Sequence, residues 1–567
     1  MPGGLKQYKI VSAITFSILF FTSSLAQVFK TNFTKPVNLP FNLAGSFGEP
    51  RPDHFHSGID IKTNGAEGQP VFAVGDGYIS RIRVSPYGYG KAIYITHPNG
   101  YTSVYGHLSA FYASIEQYIH EHHYKTKQSE LDLSLDTSVF PVKQNDTVAY
   151  SGNTGGSTAP HLHFEIRDSK TEHALNPLDF YPKEFYADTI PPQLNKIKIY
   201  QFNDNFYDAY TQVLELKKVD SYLTTENPIT ILDFSSFCFS LEGFDKQDTS
   251  ENKNGIYKIE VLQGNDTIFK YTMNEIDFDK TRMCNAFVDY NEMMNDSGYF
   301  YNCFQLKNNT LSIYLSTNDG YFKFKNNDTI DLDVFCYDYR NNKTRIRLSF
   351  IKFVEDIDTA IIRVKSNDSK YISSNLSDSI SNNNFKIIFS NYTFYEDIVL
   401  RYSLSDKSKG ISENYLVFNA NIIPLQKPAK IQFSSFIKKK RNKIVIVRQN
   451  NKGEETALKT TFDNKKFYTS TYELGTFYLK YDTFKPIIER IDIKDNKIQA
   501  KITDELSGIQ SYNGYIDGQW VNFYYDAKND LITYRFDEYC QPGEHNLKIV
   551  VTDAKGNMNT LTQHFKN

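Results

Sequence analysis

The sequence predicts a mainly β protein built of several domains. Three observations carry that expectation. Tyr and Phe are abundant, at 41 and 43 of 567 residues, and such residues favour half-buried strands. The chain divides into short β-branched or aromatic runs separated by Gly, Asn and Pro turns, the pattern of strands and hairpins rather than of long helices. Finally, 567 residues exceed what one hydrophobic core holds together, so the chain divides into domains.

The elements follow in order. Lys6 and Lys9 precede an apolar run from Ile10 to Phe21, and Ser24-Leu25-Ala26 supplies small residues for cleavage. Residues 1–26 are therefore expected to be a secretory signal. The apolar run is short for a membrane span, and no other segment of spanning length follows. Gln27, rather than cysteine, follows the cleavage site, which argues against a lipid anchor there. The mature chain is expected in the periplasm, cell envelope or medium.

Residues 27–187 form the first expected domain. Ten of the twelve histidines fall before residue 174, and this break in composition marks a boundary near Tyr186 to Pro192. Strands are expected over Pro70–Val74, Tyr78–Val84, Ala92–Thr96 and Thr102–His107, with an Asn-Gly turn at Asn99-Gly100. A helical insertion is expected near 109–138, lying exposed on the surface. Its His120, His122 and His123 are expected on a solvated face.

The remainder holds a weak repeat. Asp188-Thr189-Ile190-Pro191-Pro192 resembles Asp482-Thr483-Phe484-Lys485-Pro486. Each is followed by a strand-like run, a Gly-Ile turn (Gly255-Ile256; Gly508-Ile509) and a closing Asp338 to Asn342 or Asp553 to Asn557. Short strands with this turn spacing predict immunoglobulin-like β-sandwiches over 188–355 and 482–567, with a further β-rich domain over 356–481. Five cysteines lie in this part. Cys238 and Cys336 sit in apolar runs, where they either bridge two sheets or remain buried thiols. The net charge of -3 gives no nucleic-acid footprint.

The chemistry is concentrated in the first domain. His161-Leu162-His163 precedes the strand-favouring Phe164-Glu165-Ile166. Residues two apart on a strand share a face, so both imidazoles open on one cleft while Leu162 enters the core. His56 and Asp60 flank Gly58, which disfavours a helix and suggests a loop leading into a strand. Together they supply two imidazoles and a carboxylate, the ligand count of a catalytic zinc site with one open position, and leave a spare imidazole for proton transfer.

His56-x-x-x-Asp60, Val104-Tyr105-Gly106-His107-Leu108 and Ser157-Thr158-Ala159-Pro160-His161-Leu162-His163-Phe164-Glu165 resemble the three blocks of the LytM/lysostaphin-type zinc endopeptidases. The resemblance covers about residues 41–180. It implies a duplicated-hybrid-motif β-fold, one Zn²⁺ ion held by His56, Asp60 and His163, His161 as general base and His107 as the second active-site histidine. It also implies hydrolysis of peptide bonds in peptidoglycan cross-bridges or stem peptides. Arg51, Ser157 and Thr158 are candidates for substrate binding, Arg51 because guanidinium recognises carboxylates in a bidentate way. The signal is followed almost at once by this domain, so no inhibitory propeptide is expected. Two other readings stay open: a non-catalytic cell-wall binder or activator, and an adhesion or scaffold protein whose β-rich tail meets an envelope partner.

Overall fold

The computed structural model describes residues 32–352 and 369–567, apart from 204–205, 207–208, 326–327, 406–408, 413–414, 419–422, 435–436 and 438. The leader expected over 1–26 and the boundary expected at 355–356 lie outside the described residues. The fold is mainly β, as composition and turn spacing predict.

Seven strands and one helix position the site. They are β1 (Leu43–Gly45), β2 (Ile59–Lys62), β3 (Gly77–Val84), β4 (Lys91–Thr96), β5 (Tyr101–Leu108), β6 (Leu131–Ser134), β7 (His161–Asp168) and α1 (Ala113–Thr126). They run in the sheet order β1-β2-β7-β5-β4-β3-β6, every pair antiparallel. The alternation in β7 is complete. Leu162, Phe164 and Ile166 are fully buried in the core, while His161, His163, Glu165 and Arg167 occupy the opposite face. A β-strand was therefore the only regular structure that could place this sequence with one apolar and one chemical face.

The helical insertion differs from expectation in two ways. It is helical only over Ala113–Thr126, and Leu131–Ser134 extends the main sheet beside β3. Nor does the helix lie free. Ile115, Ile119 and His123, spaced one turn apart, are buried. His123 is bonded through Nδ1 to the Gln128 carbonyl at 2.6 Å and lies 3.3 Å from the Tyr524 hydroxyl. His120 Nε2 meets Glu538 at 2.9 Å, and the Tyr124 hydroxyl donates to Asp537. The far end of the chain thus covers the face expected to be solvated.

The core does not break at the Asp188–Pro192 segment. One continuous cluster runs from Phe33 to Phe350 and takes in Tyr395 as well, and Ala174–Leu175 pairs with Glu275–Ile276 across the two regions. The Gln247 side chain accepts from Leu43 N at 2.9 Å and donates to the Phe41 carbonyl at 2.8 Å. The end of the histidine-rich stretch marks the end of a chemistry, while apolar packing continues past it. Two further cores follow, Ile372–Leu479 between a six- and a five-stranded sheet, and Ile498–Phe565 between two four-stranded sheets.

All five cysteines are free and buried, so Cys238 and Cys336 form no bridge. Burial pushes both thiols above their ordinary range. Titration with a thiol reagent should accordingly find almost no reactive group in the folded protein and five after unfolding; fast reaction without denaturant would contradict this packing. Leu162→Ala should cost about 2–5 kcal/mol, because it empties a fully enclosed site in the core. Chemical denaturation measures this, and a loss below roughly 1 kcal/mol would show that the strand tolerates the cavity.

Candidate metal centre

Register creates the site. Across the β7–β2 pair His163 lies directly opposite Asp60, and across β7–β5 it lies opposite Gly106, one residue before His107. His56 arrives from the loop before β2. Gly58 lets that loop press against β7, since a Cβ there would stand 2.3 Å from the Phe164 carbonyl oxygen. His107 itself has φ 59, a left-handed conformation uncommon outside glycine, asparagine, aspartate and histidine.

Three atoms converge. His56 Nε2 lies 3.0 Å from both Asp60 Oδ1 and His163 Nδ1, and His163 Nδ1 lies 2.9 Å from Asp60 Oδ1. Tetrahedral ligands with zinc bonds of ~2.1 Å stand about 3.4 Å apart, so the three atoms need only part by a few tenths of an ångström to admit the ion. All three residues are buried.

The protons are placed to suit. His56 Nδ1 is 2.8 Å from the Ser46 carbonyl and so carries the hydrogen, leaving a lone pair on Nε2. His163 Nε2 is 2.8 Å from Glu165 Oε1, which leaves the lone pair on Nδ1 when the ring is neutral. His161 Nδ1 donates to the Ala159 carbonyl at 2.8 Å and His107 Nδ1 to the Thr154 carbonyl at 2.8 Å. In these last two rings the free nitrogen is Nε2. That of His161 lies 3.3 Å from Asp60 Oδ1 in poor alignment, and it is buried without a hydrogen-bond partner. A buried acceptor of this kind is what a site open to a metal and its water would leave behind.

Electrostatics follow from burial and neighbours. Burial alone would raise the Asp60 carboxyl, but the electrostatic pull of the imidazoles that face it holds it well below the usual range. Burial lowers His56 to about 4. Burial, reinforced by His163 and His161, lowers His107 to about 3, so it stays neutral at ordinary pH. For His163 burial is overcome by bonds to Asp60 and Glu165, which raise it to about 9. At neutral pH it therefore holds a proton that an arriving metal ion must displace.

The structure brings together His56, Asp60, His107, His161 and His163. The substrate-binding candidates divide. Arg51 Nη2 grips Asp60 Oδ2 at 2.8 Å, with Glu49 at 3.7 Å on its other side; its guanidinium is turned onto a candidate ligand rather than left open for a peptide carboxylate. The buried Ser157 hydroxyl donates to the Ala159 carbonyl at 2.8 Å and lies 3.2 Å from His161 Nδ1, so it steadies the loop beneath that ring. Thr158 is exposed on the same loop.

Sequence reasoning assigned no role to Glu165. It is fully buried, and besides His163 it receives the Ser57 and Tyr89 hydroxyls, each at 2.5 Å, and Arg167 at 2.6 Å. Its place two residues after His163 on the same strand face was the available signal. Ser46 and Tyr89 come from other elements and left none.

Comparison with known proteins decides the family of this region. Residues 54–124 match the model of peptidase family M23, and residues 369–482 match that of the Zu5-like domain. The chain carries a peptidase family M23 domain. The M23 region is similar to an uncharacterized metalloprotease of Haemophilus influenzae, 32% identical over 123 residues that cover 22% of this chain and 20% of that protein. It is also similar to the DD-carboxypeptidase/endopeptidase Mpg of Neisseria meningitidis, 35% identical over 112 residues covering 20% of each. Among solved structures it resembles the catalytic domain of the antimicrobial peptidase lysostaphin from Staphylococcus simulans, 26% identical with a TM-score of 0.18, covering 24% of this chain and 87% of that one. The chain thus spans about a fifth of the length of these curated relatives.

Removing the outer support should weaken metal binding without removing a ligand. Glu165→Gln is expected to lower zinc affinity about 10–100-fold, measured by competition with a coloured chelator on protein whose folding has been checked by circular dichroism. Unchanged affinity would show that the Glu165–His163 bond does not tune the site.

Proposed function

We propose that this chain is an exported zinc metalloendopeptidase that hydrolyses peptide bonds in bacterial peptidoglycan. One observation carries the reading: three atoms of ligand type, His56 Nε2, Asp60 Oδ1 and His163 Nδ1, converge beside the unpartnered Nε2 of a fourth residue, His161. The M23 match and the similarity to the DD-carboxypeptidase/endopeptidase Mpg support the substrate class. Among the described residues no helix is long and apolar enough to cross a membrane.

His56 Nε2, Asp60 Oδ1 and His163 Nδ1 would hold the ion. When bound, zinc supplies a Lewis acid that polarises a carbonyl and brings the pKa of water to about 7. His161 Nε2 takes the proton of the attacking water, because its other nitrogen is committed to the Ala159 carbonyl. It then returns that proton to the departing amine. His107, neutral and with Nδ1 held by Thr154, keeps Nε2 free beside His161, the two ring centroids 4.8 Å apart. It orients water or steadies the oxyanion as negative charge develops. A non-catalytic wall binder of the same fold needs none of this proton placement, and every position of the set is filled.

The variants separate the roles. His163→Ala and Asp60→Ala should lose both zinc and activity. His161→Ala should retain zinc and lose turnover by about 10²–10⁴-fold. The assay is mass spectrometry of fragments released from purified sacculi by the mature protein, with zinc content measured alongside. Release of wild-type fragments by His161→Ala would remove it as general base, and no release by zinc-loaded parent protein would sink the peptidoglycan reading.

A further inference from the structure

The tail repeat converges on two clusters of carboxylates, the first buried throughout and the second buried except for the half-buried Asp504. Asp188, Asp245 and Asp338 each offer an oxygen, all within 4.8 Å of one another, and so do Asp482, Asp504 and Asp553. The clusters are built alike. Asp188 and Asp482 each precede the first strand of their copy, Gln193–Phe202 and Ile487–Lys494. Asp245 and Asp504 directly follow the strand paired with it, Ser236–Phe244 and Lys497–Thr503. Asp338 follows, and Asp553 ends, the first strand of the closing hairpin. An asparagine locks each set. Asn342 Nδ2 donates to Asp338 Oδ2 at 2.6 Å and to the Asp188 carbonyl at 3.0 Å. Asn557 Nδ2 donates to Asp553 Oδ2 at 2.7 Å and to the Asp482 carbonyl at 3.2 Å. The first and last members of each copy were visible as a sequence repeat; the middle aspartates were not.

Carboxylates alone do not make a site. Here buried polar atoms also stand without partners. Asp245 is 3% exposed, and its Oδ1 has no hydrogen-bond partner. Asn254, bridged to it backbone to backbone and 2% exposed, has both side-chain polar atoms unpaired. In the second copy Asp482 Oδ2, on a residue 1% exposed, and Asp504 Oδ1 are likewise unpaired. Among the described residues no lysine or arginine forms a salt bridge with any of the six aspartates. Such groups are strongly unfavourable in a protein interior unless a cation joins them.

We propose that Asp188, Asp245 and Asp338 bind one divalent cation of the hard, oxygen-seeking class, for which Ca²⁺ is the fitting ion, and that Asp482, Asp504 and Asp553 bind a second. The donors are all oxygen, which disfavours zinc. Mg²⁺ gives up its water reluctantly and demands strict octahedral geometry, whereas Ca²⁺ accepts irregular sets of carboxylates and carbonyls. The first site braces the peptidase region. Gln247, two residues beyond Asp245, clamps Phe41 and Leu43 at the start of the sheet that carries Asp60.

The test uses the full mature chain, stripped of metal and reloaded with one equivalent of zinc. Calorimetric titration with CaCl₂ should show two calcium ions bound per chain, and calcium should raise the melting temperature more than magnesium at equal concentration. Asp245→Asn and Asp504→Asn should each abolish one calcium site and leave one zinc bound. Because each removes a carboxylate that repels its two neighbours in the cluster, their calcium-free melting temperatures should equal or exceed that of the parent, which also verifies folding. No calcium uptake by the parent chain, or two calcium ions still bound by the doubly substituted chain, would overturn the proposal.

Discussion

The site depends on one constraint: antiparallel register sets His163 opposite Asp60, and a carbonyl or carboxylate then claims the other nitrogen of every histidine around them. Register is strict because the opposite face of the strand is buried. A slip of one residue would turn Leu162 and Phe164 outward and drive His161 and His163 into the core. The hydrophobic core therefore does more than stabilise the domain. It selects the single alignment in which two imidazoles and a carboxylate share a point.

Around that point the supports lie in shells drawn from distant parts of the chain. Ser46 orients His56, Arg51 holds the second oxygen of Asp60, and Glu165 holds His163 while itself taking bonds from Ser57, Tyr89 and Arg167. A carboxylate as deeply buried as Glu165 is tolerable only with such a full set of donors. This arrangement limits the freedom of the three side chains, so little ordering would oppose the binding of a cation between them.

The tail is fastened to this scaffold rather than strung behind it. The Lys528 ammonium donates to the carbonyls of Asn153 and Ser157 in the loop that leads to His161. Tyr524, Asp537 and Glu538 receive the exposed side of α1. The loop is further shaped by Gly155, whose φ of +70 and close approach to the Gly88 carbonyl leave no room for a side chain. The position of His161 thus rests on contacts from both ends of the polypeptide.

Much of this was legible beforehand. The mainly β class, the strands around β3, β4 and β5, and the shared face of His161 and His163 follow from local pattern, because the two-residue period of a strand is written in neighbouring residues. The repeated Asp-Thr and Asp-x-x-x-Asn segments could also be seen. What the sequence alone could not decide was which remote groups meet. The continuity of the core past Pro192, the covering of α1 by the tail, the turn of Arg51 onto Asp60, and the meeting of Asp245 and Asp504 with their partners all depend on long-range packing. Such contacts leave no local periodicity, since the chain fixes them only when separate apolar faces close together.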